Sequence, residues 1–239
     1  MQCKAVIFDL FGTLIDNYSL QEHKRVLSEM AAALCAPHDE FVRLWLTSFD
    51  QRATGVYATT QANIEHVCRV LGLRPQPGQV AAAAEVRLDF TWRHLVPRSG
   101  ALETLARFRS AGHKIGLISD CSSEVPTLWK DTPFAPLVDV PVFSCAVGMK
   151  KPDPLIYRLA CERLAVAPQD CLYVGDGSSR ELTGAAEVGT HPVLIRVPHE
   201  DGQDAHRLDP EEWQGPTISE LAEVLAYAGI AAALFLPPL

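Results

Sequence analysis

The sequence contains no long hydrophobic run, and its basic residues are not clustered. A membrane-spanning helix requires about 20 consecutive apolar residues, and the apolar stretch before Asp9 is too short for a secretory signal peptide. The 239 residues include 21 Lys and Arg against 29 Asp and Glu, a formal net charge of −8. This balance disfavours non-specific binding to nucleic acid, because clustered cations hold phosphate backbones. It is compatible with a small anionic substrate, since a metal ion and one or two cations can supply a local positive site.

Closely spaced cysteines, which zinc sites and redox motifs use, are also absent, although the chain has seven cysteines. The eight histidines show no H-E-x-x-H spacing. Apolar residues surround most of the cysteines, which indicates reduced core residues. Apolar residues make up 48% of the chain and charged residues 21%, as is typical of a soluble globular protein. The sequence therefore predicts a cytoplasmic protein with an ordinary hydrophobic core.

Three apolar runs that end at acidic residues predict buried strands. The runs are residues 4–10 with Asp9 near the end, residues 115–118 followed by Ser119 and Asp120, and residues 171–174 followed by Gly175 and Asp176. Continuous apolar runs of this length are typical of parallel strands that are covered on both faces. Because ligands bind beyond the carboxyl ends of such strands, we expect the acidic residues to share one crevice.

Helical patterns separate these predicted strands. Leucine and phenylalanine recur at helical spacing in residues 102–108, and leucine does so in residues 155–164. A further strand is predicted at residues 193–197, and a helix at about residues 218–225. Alternating strands and helices imply βαβ units. The predicted fold is therefore an α/β fold with a Rossmann-like parallel sheet.

Residues 16–96 interrupt the alternation, because apolar residues recur there at helical spacing without a convincing strand. We predict two domains, a core of residues 1–15 and 97–239 and a helical insert of residues 16–96. The insert leaves and re-enters the core beside the Asp9 loop, which is typical of a lid; a subdomain that only adds stability is the alternative. The apolar run at residues 230–236 is expected to pack against the core or a partner, so both a monomer and a homodimer are compatible with the sequence.

Four short motifs contain the residues whose side chains could take part in catalysis or binding. They are F-D-L-F-G-T-L at residues 8–14, L-I-S-D-C-S at residues 117–122, M-K-K-P-D-P at residues 149–154, and V-G-D-G-S-S-R-E at residues 174–181. Together they supply a carboxylate nucleophile, donors for an anion, a cation and carboxylate metal ligands. Their set and order resemble the four motifs of the haloacid dehalogenase superfamily, from about residue 6 to residue 195. The helical insert resembles the C1-type cap of that superfamily.

The resemblance implies a magnesium-dependent hydrolase in which Asp9 attacks phosphorus and forms an aspartyl-phosphate. The implied catalytic residues are Asp9, Thr13, Ser119 and Lys151. The residues implied to bind a small phosphorylated substrate are Gly12, Thr13, Ser119, Asp120 and Lys151. The implied ligands of Mg²⁺ are Asp9, the backbone carbonyl of Phe11, Asp176 and Glu181, with Glu181 alternatively orienting Lys151 or a metal-bound water. Hard oxygen ligands suit Mg²⁺, and phosphoryl transfer depends mainly on positioning and charge stabilisation.

Phe11 departs from the pattern of the family's phosphatases, which usually have a second Asp two residues after the nucleophile. That Asp protonates the leaving alcohol and later activates water, and such help is worth about 10²–10⁴-fold in rate. An alkyl phosphate is therefore expected to be a poor substrate unless another group substitutes, whereas an acyl or enol phosphate would tolerate Phe11. Candidate substitutes in the insert are His23, Glu65 and His66, although such residues are more often surface or packing residues. Candidate anion contacts there are Arg25, Arg43, Arg52 and Arg69, although solvated positions are more common for such residues.

Two other kinds of enzyme in the family also lack the second Asp at the position of Phe11. Haloacid dehalogenases have an aromatic residue there and displace halide from carbon, but their fourth motif lacks the metal-binding Asp that is Asp176 here. Phosphonate-cleaving relatives retain magnesium but use a cap lysine, and Lys24 is the only lysine of the insert. A family member that binds a metabolite without turnover is the non-enzyme alternative. A dinucleotide site is disfavoured, because Asp176 would meet the pyrophosphate.

Overall fold

The computed structural model describes residues 3–198 and 209–231. Its six-stranded sheet contains β1 (Ala5–Phe8), β2 (Lys114–Ser119), β3 (Val140–Phe143), β4 (Cys171–Gly175), β5 (His191–Ile195) and β6 (Thr217–Ile218). The strand order is β3-β2-β1-β4-β5-β6, and all neighbouring strands are parallel. The strands β2, β1 and β4, which end at acidic residues, are therefore adjacent. This confirms the predicted α/β fold with a Rossmann-like sheet.

Helices connect the strands and form the insert. In the described residues they are α1 (Leu20–Ala33), α2 (His38–Thr47), α3 (Phe49–Ala53), α4 (Thr60–Val70), α5 (Pro77–His94), α6 (Ala101–Ser110), α7 (Glu124–Leu128), α8 (Ser144–Val147), α9 (Pro154–Leu164), α10 (Glu181–Glu187) and α11 (Val224–Tyr227). Capping side chains stabilise the N-termini of several helices. Ser19 accepts a hydrogen bond from the backbone N–H of Glu22 at 3.0 Å, and Asp153 accepts one from Leu155 at 2.9 Å. These bonds satisfy N–H groups that have no partner within the helix.

The central strand β1 is buried on both faces of the sheet, which explains its unbroken apolar sequence. Val6 and Phe8 belong to the hydrophobic cluster that includes side chains of α6, whereas Ala5 and Ile7 belong to the cluster that includes side chains of α9. The alternation follows from the two-residue period of a strand. Since helices pack on both faces, a ligand reaches the sheet at the carboxyl ends of its strands.

The helical insert, residues 16–96, contains α1 to α5 and no strand. It has a hydrophobic cluster of its own, in which Phe41, Trp45 and Phe90 are almost completely buried. Helices α1 and α5 pack against each other, and α5 also contacts α7 of the core. The insert therefore has an internal core and also lies against the sheet domain.

Arg98 connects the beginning and the end of the insert. Its Nε donates to Asp16 Oδ1 at 2.9 Å, its Nη1 donates to the carbonyl of Gly12 at 3.0 Å, and its backbone N–H donates to the carbonyl of Leu14 at 2.9 Å. Both connections of the insert are consequently held beside the loop that follows Asp9.

The sequence patterns are wrong or incomplete at the edges of the sheet. They miss β3, an edge strand that contains Pro141, and proline is tolerated in a sheet mainly at its edge. The helix predicted at residues 218–225 is wrong in its first part, because Ile218 belongs to the two-residue strand β6. A 3₁₀ turn then precedes the short helix α11. These segments are too short for a hydrophobic period to identify them.

Residues 232–236 of the C-terminal apolar run lie outside the described residues. Ile230 packs against the cluster that contains α6, and its backbone N–H donates to the carbonyl of Leu225 at 2.9 Å. None of the described helices is both long enough and apolar enough to cross a membrane.

Candidate active site

The ends of β1 and β4 and the start of α10 bring three carboxylates together. Asp9 follows β1, Asp176 follows β4, and Glu181 begins α10; one oxygen of each lies within 4.8 Å of the others. Lys151, in the loop before α9, joins them. Its Nζ is 2.5 Å from Asp9 Oδ1 and 2.6 Å from Glu181 Oε2. Four residues from three separate parts of the sequence therefore form one buried cluster.

Lys151 is held at the centre of this cluster by charge and by its backbone. Burial lowers the pKa of its ammonium group, but Asp9, Glu181 and Asp120 raise that pKa well above its usual range. The backbone N–H of Lys151 also donates to Asp120 Oδ1 at 3.0 Å. Lys151 is therefore a fixed positive charge beside Asp9.

Negative charge exceeds positive charge in the cluster. Burial raises the pKa of Asp9 from 3.8 to about 6, although the Lys151 ammonium lowers it and the Asp176 carboxylate raises it further. Burial also raises the pKa of Glu181 well above its usual range. Three carboxylates against one ammonium are unfavourable where little water reaches. A hard divalent cation fits this set of oxygen donors and would neutralise the excess, and Mg²⁺ is such an ion.

Glu181 has hydrogen-bond partners at both carboxylate oxygens. Besides Lys151, the hydroxyl of Tyr173 donates to Oε2 at 2.7 Å, and the backbone N–H of Gly177 donates to Oε1 at 3.0 Å. These contacts fix the carboxylate against Lys151. They favour the role in which Glu181 orients the lysine, while its direct contact with a metal stays a prediction.

Two buried hydroxyl groups lie at the strand ends where an anion is expected to bind. Thr13 is fully buried, and its Oγ1 donates to Asp9 Oδ2 at 3.2 Å. Ser119, the last residue of β2, is also fully buried, and its Oγ finds no oxygen or nitrogen partner among the described residues. A buried hydroxyl of this kind can donate to a ligand oxygen. The role of Thr13 and Ser119 in substrate binding stays a prediction.

Gly12 lets the loop after Asp9 pass close to Asp176. Its φ of +77° is in the left-handed region, and a β-carbon there would lie 2.4 Å from Asp176 Oδ2 and 2.4 Å from Asn17 Nδ2. Asn17 Nδ2 itself donates to Asp176 Oδ2 at 3.1 Å. The motif that contains Gly12 predicted a tight turn, but nothing in the sequence pattern pointed to Asn17.

We expect Gly12→Ala to lower the free energy of unfolding by about 2–4 kcal/mol, because it combines the left-handed backbone cost with a steric clash. Gly100 provides a matched control, since its φ is +76° and no atom lies within 4 Å of a β-carbon built there. Gly100→Ala should show only the backbone cost of about 1–2 kcal/mol. Urea unfolding of both variants measures the difference, and equal losses would contradict the proposed clash.

A pocket lies between the carboxylate cluster and the helical insert. Asp9 and Lys151 line it from the core, and Tyr18, Arg52 and Arg87 line it from the insert. A molecule bound to the cluster would therefore also touch side chains of the insert.

Phe11 lines this pocket, where an acid would stand in the phosphatase pattern. Of the three candidate substitutes, His23 also lines the pocket, and its ring stacks on that of Phe90 with centroids 6.1 Å apart. Glu65 is exposed, and the ring of His66 packs against a tyrosine ring at 4.6 Å, away from the pocket. The pocket thus contains one of the three candidates.

Two arginines of the insert are buried in the pocket lining. Arg52 is 3% exposed, so a solvated position is wrong for this residue, and Arg87 is 5% exposed. The other candidate anion contacts, Arg25, Arg43 and Arg69, are exposed. Arg87 was not among the candidates, although it lies on the same helical stripe of α5 as the buried Ala84 and Phe90. A charged residue at the spacing of an apolar face is the signal that would have found it.

Comparisons with known proteins show which proteins this chain resembles. A family model described as haloacid dehalogenase-like hydrolase matches residues 3–189. A glyceraldehyde 3-phosphate phosphatase of Methanopyrus kandleri is 28% identical over 197 residues, which cover 81% of this chain and 84% of that protein. An (S)-2-haloacid dehalogenase 4A of Burkholderia cepacia is 25% identical over 227 residues, which cover 93% and 95% of the two chains. The crystal structure of a HAD phosphatase from Thermococcus onnurineus shares the fold, with a TM-score of 0.64 and 22% identity, over 95% of this chain and 98% of that one.

Proposed function

This chain belongs to the haloacid dehalogenase-like hydrolase family, and from that premise we propose that it is a Mg²⁺-dependent phosphohydrolase of a small phosphorylated metabolite. Asp9 is the nucleophile. The observation that supports this most is the contact of Asp9 with a buried lysine in a cluster that also contains Asp176. Nucleophile, cation and a further carboxylate ligand are the groups that phosphoryl transfer to an aspartate requires.

In the proposed reaction, an oxygen of Asp9 forms a bond to phosphorus while the bond from phosphorus to the leaving oxygen breaks. The electron pair of that bond departs with the leaving group. A water oxygen then forms a bond to phosphorus while the bond from the Asp9 oxygen to phosphorus breaks. This restores the Asp9 carboxylate and releases inorganic phosphate, which retains the protons of the water. Lys151 neutralises charge on Asp9 and on the phosphoryl group, and Glu181 holds Lys151 in position. Mg²⁺, held by Asp9, Asp176 and the Phe11 carbonyl, would stabilise the charge that develops on the phosphoryl oxygens.

Phe11 determines which leaving groups this site accepts. A phenyl ring cannot donate a proton, so a leaving group that departs readily as an anion is favoured. Acyl and enol phosphates have such leaving groups. Phe11 also supports a second candidate, displacement of halide from carbon, which needs no proton either; Asp176, buried beside Asp9, favours phosphorus.

The helical insert acts in this proposal as a cap that selects the substrate. Its side chains line the pocket that opens onto Asp9. The domain boundaries remain those predicted, with residues 16–96 as the cap and residues 1–15 and 97–239 as the core. A cytoplasmic location belongs to the same proposal and rests on seven cysteines with mostly apolar neighbours.

Release of phosphate and of chloride tests the proposal directly. The probes are acetyl phosphate, phosphoenolpyruvate and glycerol 3-phosphate for phosphate, and 2-chloropropionate for chloride, each with Mg²⁺ or with EDTA. We expect hydrolysis of an acyl or enol phosphate that EDTA abolishes, and little hydrolysis of the alkyl ester. Chloride release that persists in EDTA, without phosphate release, would reject attack at phosphorus in favour of attack at carbon.

The pH dependence of Mg²⁺ binding tests the metal site without any substrate. In the metal-free protein, burial raises the pKa of Asp9 to about 6, so this carboxyl is largely protonated at pH 5 and ionised at pH 7.5. The unfolded chain has lost the same proton by about pH 4, so metal-free stability falls as the pH rises from about 4 to 6. Because Mg²⁺ competes with the proton, we expect it to raise the Tm by several degrees at pH 7.5 and by much less at pH 5. Thermal unfolding with Mg²⁺ and with EDTA measures this, and an equal shift at both pH values would contradict it.

A further inference from the structure

Two arginines of the insert are buried in the wall of the pocket that contains Asp9. Arg52 and Arg87 both line this pocket together with Lys151. Their guanidinium carbons lie 4.6 and 5.8 Å from the centre of the Trp45 ring, so one indole ring supports both groups. Burial and the neighbouring Arg87 lower the pKa of Arg52 to about 10, and the Arg52 guanidinium is therefore charged at neutral pH.

The described residues satisfy only part of these two guanidinium groups. Arg52 Nη1 donates to the carbonyl of Trp45 and to Ser48 Oγ, but Arg52 Nε has no hydrogen-bond partner among the described residues. The same is true of Nε and Nη1 of Arg87. A buried N–H without an acceptor is unfavourable. These groups point to a ligand that brings acceptor oxygens into the pocket.

Glu124 compensates one of the two positive charges. It is 1% exposed, its Oε1 lies 3.7 Å from Arg87 Nε, and its Oε2 accepts a hydrogen bond from Ser122 at 2.5 Å. The distance to Arg87 is that of an ion pair without a hydrogen bond. Two guanidinium groups against one carboxylate leave one net positive charge, which a monoanionic group would neutralise.

We propose that Arg52 and Arg87 bind a carboxylate of the substrate, at the end opposite the group that Asp9 attacks. The planar guanidinium groups offer N–H donors in a geometry that matches the two oxygens of a carboxylate. The single net positive charge matches a carboxylate better than a second phosphate. The inference rests on the proposed function for the phosphoryl end, and it narrows the substrate class to small phosphorylated carboxylic acids.

Calorimetric binding of two phosphonates in the presence of Mg²⁺ tests this inference. The probes are 3-phosphonopropionate and propylphosphonate, which differ only in a carboxylate against a methyl group. We expect the wild-type protein to bind 3-phosphonopropionate at least about tenfold more tightly. Arg52→Met and Arg87→Met should each lose most of this preference. Arg43→Met, which removes an exposed arginine of the same insert, should retain it.

Arg87→Lys is a control for the case in which Arg87→Met does not fold. Removal of the buried arginine leaves Glu124 without its ion pair. Arg87→Lys keeps the charge but loses the paired donors, and should reduce the preference severalfold while the protein stays folded. Equal binding of the two phosphonates to the wild type would overturn the carboxylate site, and so would a preference that survives in both methionine variants.

Failure of the proposed function gives a different result. If neither phosphonate binds, titration with propionate decides between the two proposals. Binding of propionate that Arg87→Met abolishes would keep the carboxylate site and reject the phosphohydrolase. No binding of propionate would overturn the carboxylate site as well.

Discussion

Asp9→Asn is expected to lower the rate of hydrolysis by about 10⁴-fold or more while the protein remains folded. The amide cannot form the aspartyl-phosphate, and loss of a covalent nucleophile removes a whole reaction path. The fold should tolerate the change, because asparagine has the same shape and its Oδ1 can still accept a hydrogen bond from Lys151. Burial already disfavours the charged form of Asp9, so a neutral side chain removes an unfavourable charge.

Asp153→Asn is the matched control for this variant. Asp153 caps α9 by accepting a hydrogen bond from Leu155 at 2.9 Å, and asparagine is an equally good cap. Its activity and Tm should therefore equal those of the wild type. Substrate turnover by the Asp9→Asn protein within tenfold of the wild-type rate would reject covalent catalysis. A metabolite-binding protein would instead give a wild type without turnover. Its Asp9→Asn variant would keep both substrate binding and biological function.

Two carboxylates of the site, Asp9 and Asp176, could be predicted because each directly follows a strand. A parallel strand that is buried on both faces has a continuous apolar sequence, and its end is marked by the first polar residue, as at Asp9 and Asp176. The position of Lys151 has no such marker, since 142 residues separate it from Asp9. Lys151 was assigned to the site because its motif resembles a known one, since no spacing rule predicts its position.

The pocket side of the insert could not be predicted in the same way. Helical spacing shows which residues share a face, but the buried face of α5 meets both the core of the insert and the pocket. Arg87 lies on that face among apolar side chains, so its contact with the pocket depends on how the insert docks on the core. Asn17 reaches Asp176 across 159 residues for the same reason. Tertiary packing, which local patterns do not contain, determines both contacts.

Phe11→Asp is expected to raise the hydrolysis of an alkyl phosphate such as glycerol 3-phosphate by about 100-fold or more, within the 10²–10⁴-fold range of acid–base catalysis. Phe11 lines the same pocket as Asp9, so an acid at this position would share that pocket with the leaving oxygen. Nearby carboxylates and burial would raise the pKa of the new group, as they do for Asp9, and would keep a proton available for transfer. Acetyl phosphate should gain little, because its leaving group needs no proton.

Phe11→Asn is the matched control, because it removes the phenyl ring without adding a carboxylic acid. Both substitutions remove the contact between Phe11 and Tyr18, whose ring centroids are 5.3 Å apart, so both should lower the free energy of unfolding by about 2–4 kcal/mol. Only the aspartate can donate a proton to an alcohol and then activate water. Phosphate release from glycerol 3-phosphate should therefore rise in the aspartate variant alone. Equal rates in the two variants would mean that the position of Phe11 does not control the choice of leaving group, and that His23 or another pocket residue already supplies the proton.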